Sequence, residues 1–137
     1  MRVLIATTAV IVTLLSSVAV NAQSITRTRE PQVIDSYTAY IGRDDLYNSS
    51  GARLTKPWQI VRQDRANYHA YGIQDGDDEG DAFFADAANR QQLEEMLANG
   101  SMSRDAQSMI LRGNCWVNVQ VYGRGDRGSF IEVEVWR

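Results

Sequence analysis

Apolar and polar side chains alternate most strictly near the C-terminal end of the chain. Cys115, Val117, Val119 and Val121 interleave with Trp116, Asn118, Gln120 and Tyr122; after Gly123 to Gly128, Ser129, Ile131, Val133 and Val135 interleave with Phe130, Glu132, Glu134 and Trp136. A period of two is that of a strand with one face toward a core, and the glycine-rich interval supplies a turn, so a β-hairpin is predicted. Its small and branched apolar face must point inward. Placing Tyr122 opposite Phe130 also places Trp116 opposite Trp136, which puts an aromatic pair at each end of the outward face.

Upstream, Val33 to Ile41 is rich in β-branched and aromatic residues and predicts a further strand. Leu46-Tyr47 and Ala52 to Leu54 flank Asn48-Ser49-Ser50-Gly51, a turn sequence that fits a small hairpin. The period then changes to that of helices. Thr55 can cap a helix with Pro57 in its first turn, with Trp58, Ile60, Val61, Tyr68 and Tyr71 on one broad face and its end at Gly72. A second helical stretch, capped by Asp86 or Asn89, buries Leu93, Met96 and Leu97 and ends at Asn99-Gly100; a short third one, capped by Ser103, carries Ala106, Met109 and Ile110 and closes at Gly113-Asn114. The predicted fold is α+β: a small antiparallel sheet of the N-terminal strand plus the C-terminal hairpin, packed on one face by two to three helices.

The first residues read differently. Arg2 precedes an uncharged run from Val3 to Val20, and Val20-Asn21-Ala22 places small residues where signal peptidase cleaves, so residues 1–22 are predicted to be a secretory signal. Thr7, Thr8, Thr13, Ser16 and Ser17 dilute the run and no basic stop-transfer cluster follows, which argues against a membrane anchor. Residues 23–32 are polar and predict a flexible leader, and residues 33–137 a single domain. Such a domain can bury a core without staples, and Cys115, the only cysteine, permits no internal disulfide.

Without residues 1–22 the chain carries thirteen basic against seventeen acidic residues, a net charge of −4 that offers no basic footprint for nucleic acid or an anionic membrane. Lys56 is the only lysine among fourteen basic residues, an arginine skew that fits a GC-rich bacterial genome. The expected location is therefore the bacterial periplasm or the secreted medium. Oligomeric state is not set by the sequence.

Five acids fall in the seven residues from Asp75 to Asp81. With Asp75 at position 1, Asp77, Glu79, Asp81 and Asp86 stand at positions 3, 5, 7 and 12, and Gly80 at 6. This twelve-residue stretch resembles an EF-hand calcium loop, which implies weak calcium binding as one reading; a solvated acidic linker is the other. Glu79 is longer than the usual ligand at its place, Asp86 shorter than the closing Glu, and Ala82 replaces a branched apolar residue.

His69 is the only histidine, and the positions three and four residues before it hold Ala66 and Arg65, so no dyad forms within its own helix. A distant carboxylate could still orient it. Arg62, Arg65 and His69 share a helical face that could hold an anionic group or the protein's own carboxylates. Cys115 is expected to be buried as a small hydrophobe. Arg124-Gly125-Asp126 is ordinary turn chemistry. No Gly-x-Ser-x-Gly, His-Glu-x-x-His or phosphate loop is present, so no catalytic residue is assigned and no enzyme is expected.

The outward face of the terminal hairpin is the leading candidate for recognition: Trp116, Tyr122, Phe130 and Trp136 frame Asn118, Gln120, Glu132 and Glu134, unless the leader or the first hairpin covers them. The functional expectation is an exported, non-catalytic domain that binds an envelope protein or cell-wall component. A calcium-binding or calcium-stabilised module and a small periplasmic hydrolase are the alternatives.

Overall fold

Strand β1 (Gln32–Ile41) pairs antiparallel with β2 (Cys115–Arg124), which pairs antiparallel with β3 (Arg127–Trp136), giving a three-stranded sheet with β2 at its centre. The computed structural model describes residues 29–137; the predicted signal, residues 1–22, and leader positions 23–28 lie outside the described residues. Gln32 already belongs to β1, so the strand starts one residue earlier than its β-branched composition suggests.

The alternation in β2 is realised in full: Cys115, Val117, Val119 and Val121 are buried while the residues between them are half-exposed. Trp116 opposes Trp136 and Tyr122 opposes Phe130, the register that keeps the apolar face unbroken. Near the turn the simple alternation fails. Gly123 pairs with Gly128, so Ser129 is left over as a bulge and is exposed instead of facing inward. The tight turn at Gly125-Asp126, with Gly125 at φ +60°, fixes pairing from one end and the apolar face fixes it from the other; the surplus residue is expelled between them.

Helix α1 (Pro57–Ala66) passes into a π turn over Asn67–Tyr71 and stops at Gly72, whose φ of +65° suits a residue without a side chain. Its N-cap is Lys56, not Thr55: the Gln59 side chain reaches back to accept the backbone N–H groups of Thr55 and Lys56 at 3.2 and 3.1 Å. The apolar face also departs from the simple 3.6 period. Ile60 and Val61 are buried as predicted, but the next buried positions are Asp64, Arg65 and Asn67, while Tyr68 is half-exposed and Tyr71 is exposed. The π turn carries one residue more per turn, which rotates the late tyrosines off the core side.

Beyond the acidic segment, Phe83 and Phe84 enter the core, and Asp86 caps α2 (Ala87–Gln91) by accepting the Ala88 N–H at 2.8 Å. A break at Gln92 separates it from α3 (Leu93–Ala98), which buries Leu93 and Met96 and packs Leu97 at the margin. Ser103 caps α4 (Arg104–Arg112). Inward residues of all three strands meet Ile60 and Val61 of α1, Leu93 and Met96 of α3 and Ile110 of α4 in one core, so the fold is α+β with its helical layer on one side of the sheet.

The small hairpin forms through Tyr47 and Arg53, and Arg53 ties it to α4 by a 2.6 Å bond to the Leu111 carbonyl. At Gly100 the α3–α4 connection meets β3: Ser101 N–H donates to Ile131 O at 3.1 Å, and a Cβ on Gly100 would fall 1.7 Å from that oxygen. No described helix is long and apolar enough to cross a membrane.

Candidate functional site

With α1, α3 and α4 packed on one side, the other side of the sheet faces outward through the even-numbered positions of β1 from Ser36, of β2 from Trp116 to Tyr122 and of β3 from Phe130; register shifts at Ile34 and Ser129 break that parity nearer the turn end. Tyr40, Trp116 and Trp136 align as a row across all three strands. The Tyr40 and Trp116 rings meet edge-to-face at 5.3 Å, and Trp136 is 42 % exposed. Six residues along β2, roughly 20 Å away at strand rise, Tyr122 stacks on Phe130 with centroids 4.7 Å apart and planes within 9°. Two polar rows lie between: Thr38, Asn118 and Glu134, then Ser36, Gln120 and Glu132.

All four aromatic residues predicted for recognition therefore share one face, and none is buried by any described element. Tyr40 completes their row, although the sequence pattern does not single it out. Its parity along β1 is readable, but only the register against β2 places it beside Trp116. Hydrogen bonds stiffen the polar middle. Asn118 Nδ2 donates to Thr38 Oγ1 at 3.3 Å, and the Tyr122 hydroxyl lies 3.0 Å from Gln120 Oε1 and 3.2 Å from Glu132 Oε2.

The acidic residues take a different place. Glu79 Oε2 accepts the Thr38 N–H at 2.7 Å, while Asp78 Oδ1 accepts the Tyr40 N–H and Asp78 Oδ2 the Asp75 N–H, each at 2.8 Å. Asp81 turns inward to Arg65 and His69, Asp86 caps α2, and Asp77 stays exposed. Among the described residues no three His, Cys, Asp or Glu side chains are grouped so as to hold a metal ion. Of the positions that would be calcium ligands, Glu79 stands at a strand edge, Asp81 at a buried cation and Asp86 at a helix cap, while Asp75 and Asp77 are exposed.

Arg65 is fully buried, with its guanidinium 3.9 Å from the Tyr37 ring centroid and 4.8 Å from that of Tyr68. Nε donates to Asp64 at 2.7 Å, and Nη1 donates to Asp81 Oδ1 at 3.0 Å and to the Glu79 carbonyl at 2.9 Å. Burial works against the charge, but Tyr37, Asp64 and Asp81 hold Arg65 protonated. Burial pushes the Asp64 carboxyl up to about 7 against the opposing pull of Arg65. Nearby, Asp45 is pushed up to about 6 by burial, although Asn67 Nδ2 and the Gly42 N–H both donate to it.

His69 Nε2 lies 2.8 Å from Asp81 Oδ1, so the orienting carboxylate comes from the acidic segment, twelve residues on. That oxygen is shared with Arg65. Among the described residues Asp81 is the only hydrogen-bond partner of the imidazole, and no serine, threonine or cysteine meets it. Of the two uses open to the Arg65 and His69 face, engagement by the protein's own carboxylates is what the geometry shows. Arg62 instead stacks 4.9 Å over the Trp58 ring. Cys115 is buried at the start of β2, and burial raises its thiol.

Open grooves lie elsewhere on the surface. One of about 440 Å³ is lined by Arg43, Tyr47, Gln63, Asn67, Tyr71 and Ile73. Another of about 500 Å³ runs between Ile34, Phe83, Asp86 and Arg127. Neither is lined by His69 or by the aromatic row. No protein-family model, curated protein or solved structure matches the chain.

Proposed function

We propose that this chain is an exported, non-catalytic binding module that recognises an envelope protein or a cell-wall component through the outward face of its sheet. The observation that carries the reading is the row Tyr40, Trp116 and Trp136, backed by the buried apolar face of the sheet and lined beside its polar middle by Asn118, Gln120, Glu132 and Glu134. Rigid aromatic side chains offer large contact area at small entropic cost, and side-chain amides and carboxylates around them add directional bonds. Strands fix both sets in place, so little ordering is required on binding. The signal-like residues 1–22 place that face outside the cytoplasm in this reading.

The test is affinity capture from a native envelope preparation by the purified protein and by a Trp116→Ala/Trp136→Ala variant. Both tryptophans are at least partly exposed, so the variant folds, checked by circular dichroism, and loses the captured component at least tenfold. Equal capture by folded wild type and variant removes the sheet face as the binding site.

A further inference from the structure

Strand β1 is an edge strand, and every second backbone N–H on it points away from β2 into the space a further strand would occupy. Four successive outward donors are each taken by a carboxylate. Ser36 N–H donates to Asp35 Oδ1 at 2.8 Å, Thr38 N–H to Glu79 Oε2 at 2.7 Å, Tyr40 N–H to Asp78 Oδ1 at 2.8 Å and, just past the strand, Gly42 N–H to Asp45 Oδ2 at 2.9 Å. The outward carbonyl of Thr38 accepts the Glu79 N–H at 2.8 Å. Asp35 also anchors the far end of the segment by accepting the Ala82 and Phe83 N–H groups, both at 2.9 Å.

We propose that the segment Asp75–Asp81, with Asp35 and Asp45, is an edge guard that keeps β1 from pairing with β1 of a second copy of this chain. An open edge is a template for another strand, and side-chain carboxylates satisfy its donors without presenting a new edge. A second copy is the occupant that fits. Antiparallel pairing about Thr38 sets Thr38 opposite Thr38 and Ser36 opposite Tyr40, so the outward N–H and C=O groups of one strand meet those of its two-fold mate. The same pairing keeps Tyr37 and Ala39 on the core side in both copies. While the guard is in place, two approaching edges bring rows of carboxylates together and repel. On β3 the backbone of Ser101 occupies the outer edge at Ile131 and Val133, so the two edges are closed by different means. The guarded edge is distinct from the aromatic sheet face, and each can be lost without the other.

The experiment compares the purified wild-type protein with Asp78→Ala/Glu79→Ala and with Asp77→Ala, whose carboxylate is exposed and caps nothing. By sedimentation, wild type and Asp77→Ala run as monomers, while the double variant doubles its mass as concentration rises. Adding Thr38→Pro, which removes an outward N–H and leaves the β2 ladder intact, returns it to monomer. A double variant that is folded and monomeric across the same range overturns the proposal, as does self-association of Asp77→Ala, which would make net charge the cause. If the double variant does not fold, hydrogen exchange on the wild type decides: slow exchange at the Ser36, Thr38, Tyr40 and Gly42 amides supports the guard, and unprotected exchange at all four overturns it.

Discussion

The terminal hairpin and the stretch from Asp64 to Asp86 are both central to the fold, yet they are held by opposite physics. In the hairpin, apolar side chains at every second position bury against the helices, and each contact is non-directional and local in pattern. Between Asp64 and Asp86 the buried groups include a guanidinium, two carboxylates and an amide: Asp64 pairs with its neighbour Arg65 in α1, while Arg65–Asp81 and Asn67–Asp45 join different elements. The first kind of region tolerates any apolar residue of similar volume. The second depends on specific charge partners, because a buried charge that loses its partner has nothing to replace it.

The largest expected effect comes from importing the second kind of chemistry into the first. Val119 is fully buried at the centre of β2, with Tyr37 and Val133 opposite it on the neighbouring strands. Val119→Asp places a carboxylate there with no cation within the strand ladder. The cost exceeds the 5–15 kcal/mol or so that stabilises a typical domain once register and packing are also lost. The expected outcome is no cooperative melt by circular dichroism; a folded variant would show that the inward assignment of β2 is wrong.

The converse substitution is smaller. Arg65→Met keeps an unbranched side chain against the Tyr37 and Tyr68 rings but leaves Asp64 and Asp81 buried without their cation. Breaking a buried pair in this way costs on the order of 3–5 kcal/mol. Urea unfolding should show that loss, and adding Asp64→Asn and Asp81→Asn to the same chain should recover part of it. No recovery in the triple variant would mean that Arg65 acts by packing alone.

These two regions also differ in how far the sequence discloses them. Strand period, the Trp116–Trp136 register and the Ser103 and Asp86 caps follow from short-range patterns, and so does the expectation of helices on one side of a sheet. The role of Asp81 does not. Its partners are Arg65 and His69, on a helix that passes through a π turn, and neither the extra residue of that turn nor the separation of sixteen positions from Arg65 to Asp81 leaves a periodic trace. The acidic run invites a calcium reading for the same reason. Acid spacing is visible in a sequence, whereas the backbone donors of Thr38 and Tyr40 that those acids meet lie about forty positions away.

Acidity separates the two regions further, and Asp45, which accepts from Asn67 of the second region, shares in the difference. Asp45 and Asp64 have folded-state pKa values of about 6 and about 7, above the ordinary 3.8. A raised carboxyl pKa means that the folded state binds the proton more tightly than the unfolded one. Stability is then greatest below about pH 4 for these two groups, and is lost as pH rises through about 6 and 7. For Asp45 the loss is roughly 1–3 kcal/mol between pH 4 and pH 7.5, because each tenfold difference in proton affinity between the folded and unfolded states is worth about 1.4 kcal/mol. Urea midpoints should be higher at pH 5 than at pH 7.5, and Asp45→Asn should flatten that slope. A midpoint that rises across the same interval would contradict the direction.

The smallest expected effect is that of calcium on the melting temperature. Binding to the native state would stabilise it by mass action, so even millimolar affinity would be visible at high ion concentration. Within the acidic segment, however, Glu79 and Asp78 already accept the Thr38 and Tyr40 N–H groups, and Asp81 already neutralises Arg65 and meets His69. To collect them around one ion would strip those hydrogen bonds and leave Asp64 as the only carboxylate on Arg65. Only Asp75 and Asp77 lack such engagements, and Asp75, its carboxyl pushed up by partial burial and by Asp78 and Asp44, is the one side chain that cation binding would relieve. Thermal melts in millimolar calcium and in chelator, with magnesium as control, should therefore agree within error. A rise of several degrees specific to calcium and abolished by Asp75→Asn/Asp77→Asn would show that the segment leaves the β1 edge to bind the ion, and would turn the contrast between the two regions into a switch.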